Sequence, residues 1–195
     1  LGWNVESRGL FGAPEVTIVV GEEVHATVLK VLAMLGLGRD RIVRVPVDRQ
    51  GRMRADRIPD FDGPTIVCLQ AGNVSSGAFD PAARIIHEAK HQGAWVHVDG
   101  ASGLWARATA RFDTLSEGLE LADSWASDAH KWLNVPYDCG VALVKHPQAL
   151  RAAMSISGSY LLLGGERNAI DVTPDSSRRA RAMEVWAALK SLGRS

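Results

Sequence analysis

The sequence is short of cysteine, has no net charge and contains no long apolar run, and each shortage narrows the field. Only two of its 195 residues are cysteines, Cys68 and Cys139. Both lie in apolar stretches, TIVCLQ and CGVALV. They read as buried free thiols, not a disulfide framework, and suit a reducing, cytoplasmic setting. Lys plus Arg and Asp plus Glu both number 22, a formal charge of zero. That balance argues against a broad nucleic-acid or anionic-membrane surface. No apolar run approaches the ~18 residues of a membrane span, and no stretch reads as a secretory signal. Repeats and low-complexity tracts are missing too. What remains is the length of one domain with a sizeable core.

The apolar pattern alternates between strand and helix. VTIVV (16–20), RIVRVPV (41–47), TIVCLQA (65–71), AWVHV (94–98), ADSWAS (122–127) and CGVALVK (139–145) read as strands. TIVCLQA is almost continuously apolar, as in a sheet covered on both faces. Between the first two strands, Val24, Val28, Val31, Leu32 and Leu35 recur at helical spacing until Gly36 and Gly38 stop the pattern. Asp80-Pro81 predicts an N-cap and first helical residue for a helix running to about Gln92. Further helices are expected at 147–154 and 176–191. This alternation predicts an α/β fold, a mostly parallel sheet flanked by helices. In such sheets ligands bind at the carboxyl ends of the strands. Asn73, Asp99 and the run SDAHK (127–131) occupy those ends.

Several tempting motifs fail. HEAKH (87–91) matches a zinc-protease pattern. The apolar stripe of its helix is Ala82, Ile85, Ile86 and Ala89, so His87 and His91 point to solvent, and no metal site is expected. NVS (73–75) is a formal glycosylation sequon that a cytoplasmic protein does not use. GLGRDR follows a helix, not a strand, and reads as a helix stop instead of a dinucleotide loop. In SRRARAMEVW (177–186) the arginines are better explained by carboxylate partners than by nucleic acid.

Asp99 and Lys131 are harder to dismiss. An aspartate ending a buried strand needs a partner. So does a lysine beside Trp132 and Leu133, unless it is used covalently. A direct Asp99–Lys131 ion pair is the plainest explanation. Pyridoxal 5'-phosphate accounts for both residues more fully. Its aldehyde needs a lysine, and its ring nitrogen needs a carboxylate that keeps the electron sink protonated.

Four stretches then carry a resemblance: GEEVHATVLKVLAMLG, QAGNVSSGAFDP, WVHVDGASG and ADSWASDAHKWLNVPYDCG. Over nearly its whole length the chain resembles the group II pyridoxal-phosphate-dependent amino acid decarboxylases, which have a fold-type I large domain. The resemblance implies that His25 stacks on the cofactor ring and that Ala101 lies beneath it. It puts Asp99 on the pyridine nitrogen. It makes Lys131 the Schiff-base lysine, with His130 beside it near the phosphate. SGSYLLLGG (157–165) is similar to the family's loop over the active site, which makes Tyr160 a candidate general acid at the substrate's alpha carbon.

The chain departs from the family at two points. Asp128 stands where many members have asparagine; the resulting Asp-x-His-Lys form resembles the related sphingosine-phosphate lyases, and a carboxylate repels phosphate unless a cation intervenes. Asn73-Val74 stands where many have a threonine pair, although Asn73 can still donate and accept hydrogen bonds at the cofactor. The expected reaction is decarboxylation of an amino acid, a small-molecule substrate, to an amine, in a homodimer whose active site lies near the interface. A lyase, a desulfurase, an aminotransferase or a non-catalytic relative on the same fold is the alternative. The family's phosphate-binding cup and small C-terminal domain are expected outside residues 1–195, which read as a partial large domain.

Overall fold

The computed structural model describes residues 2–155 and 168–193. Its elements in chain order are α1 (Val5–Arg8), β1 (Thr17–Gly21), α2 (Ala26–Met34), β2 (Val43–Val45), β3 (Thr65–Gln70), α3 (Ala82–His91), β4 (Trp95–Asp99), β5 (Ser124–Asp128), α4 (Ala129–Trp132), β6 (Gly140–Val144), α5 (Pro147–Met154) and α6 (Arg181–Leu192), with short 3-10 turns between them. The strands form one sheet in the order β2-β1-β3-β4-β5-β6. Every pairing is parallel except β5 with β6. The α/β expectation therefore holds, with an antiparallel edge.

Strand parity divides the core. Val19, Val67, Leu69, Val96 and Val98 face α3 and pack on Ala82, Ile85, Ile86 and Ala89. Ile18, Val20 and Cys68 face the other way, under Leu32 of α2 with Val24 and Val28 at its margin. The helices cover opposite faces because the chain steps from β1 outward to β2, then back past β1 to β3. That reversal opens a crevice at the strands' carboxyl ends.

Four local expectations need correction. Asp80 does not cap α3. Pro81 holds the cap position without a side-chain bond, and the buried Asp80 carboxylate accepts the amides of Met53 and Gln70 at 2.6 and 2.7 Å. Strand β2 is only three residues long, since Pro46 has no N–H to continue the ladder. Val31 and Leu35, placed on the apolar repeat of α2, are 50% and 57% exposed. Helix α6 begins at Arg181, not 176, because the residues before it place Arg179 where it donates to the Asp138 carbonyl at 3.1 Å. Arg181 meets the same carbonyl at 3.0 Å and the Asp138 carboxylate at 3.0 and 3.2 Å, so these arginines do find a carboxylate.

Both cysteines are buried and free. His87 and His91 lie on the exposed side of α3. No described helix is long and apolar enough to cross a membrane.

Candidate active site

A cavity of about 520 Å³ opens at the ends of β3, β4 and β5, beneath the start of α2. Its floor follows from strand parity. Cys68 and Gln70 of β3, His97 and Asp99 of β4, and Ala126 and Asp128 of β5 all point to this face and line the space. His25, Ala101 and Lys131 complete the wall among the residues foreseen from sequence, and Gly72 joins them. Residues from four separate segments thus meet at one place.

Each segment is held locally. His25 is the N-cap of α2. Its Nδ1 accepts the Thr27 amide at 3.3 Å and lies 2.7 Å from Thr27 Oγ1, which leaves the ring proton of the neutral imidazole on Nε2. Asp99 Oδ1 accepts the Ala101 amide at 3.1 Å, tightening the turn after β4. Gly72 has φ +96°, and a Cβ there would stand 3.1 Å from the Gly103 nitrogen. Glycine is what lets the β3 turn lie against the Ser102–Gly103 backbone. Trp132 Nε1 donates to the Ser102 carbonyl at 2.6 Å and anchors α4 against the same turn.

Lys131 is not in an apolar burial site. Its side chain is 40% exposed, and Trp132 is itself 54% exposed. One turn of helix presents the lysine to the open cavity, so no desolvation cost forces a partner on it. Nor does it pair with Asp99. Its Nζ lies 3.0 Å from Asp128 Oδ2, three residues earlier. Among the described residues no ion pair reaches Asp99.

Two candidates do not stand on the cavity wall. Asn73 is turned into the protein, where Oδ1 accepts the amides of Ser75 and Ser76 and Nδ2 donates to Glu23. His130 packs on Tyr137 with ring centroids 4.1 Å apart, and its Nδ1 accepts the Cys139 amide at 3.0 Å. Its Nε2 faces Asp128 Oδ2 at 3.7 Å. Tyr160 lies outside the described residues.

His97 was assigned no role from sequence, although it lines the floor. Its position two residues before Asp99 on a strand was signal enough. The Trp95 indole donates to Ser124 Oγ at 2.9 Å, and His97 Nδ1 lies 2.8 Å from the same oxygen. Burial lowers the His97 pKa, and the nearby Asp99 opposes that only in part. Burial likewise pushes the Cys68 thiol up to about 12, with the Asp99 charge adding to it, so Cys68 is an inert thiol in the cavity floor.

A family model described as the pyridoxal-dependent decarboxylase conserved domain matches residues 9–195. The chain belongs to the pyridoxal-dependent decarboxylases. Among curated relatives, bovine acidic amino acid decarboxylase GADL1 is 30% identical over 97% of this chain and 39% of its own length. L-2,4-diaminobutyrate decarboxylase of Acinetobacter baumannii is 27% identical over 98% of this chain and 40% of its own length. The crystal structure of mouse CSAD in apo form superposes with a TM-score of 0.86 at 26% identity, covering 98% of this chain and 42% of that one. The chain thus spans about two fifths of the length of these relatives.

The residues present fit the family's cofactor. A carboxylate with one oxygen still open, a primary amine free of Asp99 and a flat imidazole border one cavity. Those are the groups that a pyridine nitrogen, an aldehyde and an aromatic ring require.

Proposed function

We propose that the protein of which these residues form part is a pyridoxal-phosphate-dependent amino acid decarboxylase, with Lys131 as its cofactor-binding lysine. The observation that carries the reading is the convergence of Asp99, Lys131 and His25 on one cavity. Bound there, pyridoxal 5'-phosphate would supply an aldehyde for the lysine and a protonated ring that receives the electrons of the substrate's alpha-carbon–carboxylate bond as carbon dioxide leaves.

Asp99 supplies the counter-charge. Its Oδ1 is taken by the Ala101 amide, so Oδ2 would be the oxygen left to accept the ring N–H and keep the proton there. His25 and Ala101 line the cavity and would contact the bound ring, His25 with an imidazole already fixed by Thr27. Asp128 serves Lys131, not phosphate. Its Oδ2 forms an ion pair with Lys131 Nζ at 3.0 Å, beside the cavity that both residues line. His130 braces the turn after α4 through Cys139. Tyr160 is the candidate for returning a proton to the substrate's alpha carbon. The substrate is an amino acid. The family resemblance and the free thiols support a cytoplasmic homodimer with its site near the interface.

The test uses the full-length protein. Incubation with pyridoxal 5'-phosphate should give a visible absorption band that borohydride abolishes, leaving a mass tag on Lys131. Amino acids should then release carbon dioxide and the matching amine. Keto-acid product in place of amine would sink decarboxylation.

A further inference from the structure

We propose that Asn73 is a positioning residue for His25, acting through Glu23 without touching the cofactor. This builds on the cofactor reading above and names a part of the site outside the cavity wall.

Asn73 is 4% exposed, and its side-chain bonds all stay within the protein. Oδ1 accepts the Ser75 and Ser76 amides at 2.9 and 3.1 Å. These fold residues 73–77 into a turn that the Gly77 amide closes on the Asn73 carbonyl at 2.8 Å. Nδ2 donates to Glu23 Oε2 at 3.2 Å. Glu23 is tied a second time, because Gln70 Nε2 donates to its carbonyl at 3.1 Å. Both ties come from the end of β3, and His25 follows Glu23 by two residues. The turn between β1 and α2 is thus fastened to the cavity floor just before it delivers the imidazole.

A third segment closes over the pair. Gly51 has φ +76°, and a Cβ there would clash with Glu23 Oε2 and stand 2.7 Å from Asn73 Nδ2. Only glycine lets that backbone lie on the pair. Ser76 Oγ donates to the neighbouring Gln50 carbonyl at 2.6 Å, so the turn, the carboxylate and the 48–52 loop form one unit.

The side chain suits this task. It must accept two amides and donate to a carboxylate at once, which asparagine can do and aspartate cannot. Aspartate would keep the amide bonds and set two carboxylates against each other.

The experiment uses that difference in the full-length protein, comparing Asn73→Asp, Glu23→Gln and the double variant. Glu23→Gln keeps an acceptor for Nδ2, and the double variant restores a donor–acceptor pair with reversed polarity. The first readout is amide hydrogen exchange of residues 21–28 without cofactor. It should speed up about tenfold in Asn73→Asp and return to within about twofold in the double variant. The second is the release rate of pyridoxal 5'-phosphate, followed by its visible band, with the same pattern. If Asn73→Asp matches the unmodified protein in both readouts, the proposal is wrong. It is equally wrong if Glu23→Gln fails to rescue, since Asn73 would then act on the cofactor or only on its own turn. Absence of any visible band in the unmodified protein would defeat the cofactor reading instead, and exchange would still decide the link from Asn73 to His25.

Discussion

Lys131 Nζ lies 3.0 Å from Asp128 Oδ2, one helical turn back. With Lys131 40% and Asp128 29% exposed, such a pair contributes less than about 1 kcal/mol to stability. Its consequence is directional. Asp128→Asn keeps an acceptor for Nζ, whereas Asp128→Ala does not. The melting temperature should barely change in either. Lysine tagging by borohydride should slow about tenfold in Asp128→Ala and much less in Asp128→Asn, a difference on the order of 1 kcal/mol for one close polar contact. Equal slowing in both would mean that Asp128 acts through its charge on some other group.

Lys131→Ala should abolish both the visible band and the borohydride tag in the full-length protein. His87→Ala and His91→Ala, on the exposed side of α3, should change neither stability nor band, each within about 0.5 kcal/mol. Loss of the band in a His87 or His91 variant would show that the exposed side of α3 supports the cofactor site.

The candidate site was partly legible because strand period and strand-end chemistry are local signals. Asp99 ends an apolar run, and the stripe Ala82, Ile85, Ile86, Ala89 fixes the face of α3. Direction is not local. GVALV has the same pattern whether its strand runs with or against β5, so the antiparallel edge was not foreseen. Long-range bonds are equally silent. Asn73 and Glu23 are 50 residues apart in the chain, and nothing in either stretch announces the other. Asp80 shows a local rule losing to a distant one. Asp-Pro before a helix is a strong cap signal, yet two unpaired amides elsewhere claim the carboxylate. His97 was within reach through its parity with Asp99.

His97 carries a pH prediction. Burial lowers its folded-state pKa below the ordinary value of 6.5. The unfolded chain therefore binds more protons between that lowered value and 6.5, and folding stability falls as pH drops through this window. The urea midpoint of the unmodified protein should decrease from pH 7 to pH 5.5. His97→Asn should flatten that part of the profile. An unchanged slope in the variant would assign the acid sensitivity to another group.

Asp80 offers the sharpest stability test, since it is 5% exposed and is the sole side chain joining the Met53 and Gln70 amides among the described residues. Asp80→Ala leaves two buried N–H groups unpaired, at about 1 to 3 kcal/mol each. Asp80→Asn is no remedy, because its amide nitrogen would face one of those N–H groups as a second donor. Both variants should lose about 2 to 5 kcal/mol in urea unfolding. The pH signature runs opposite to that of His97. Burial raises the Asp80 pKa against the pull of its two amide bonds, so stability from this group falls as pH rises from about 3.8 through the raised folded value. Asp80→Asn should remove that acidic-range slope while lowering the whole curve. Because Gln70 also donates to the Glu23 carbonyl at 3.1 Å, loss of the Asp80 bond should further speed amide exchange around His25, and unchanged exchange there would show that the two ends of Gln70 are not coupled.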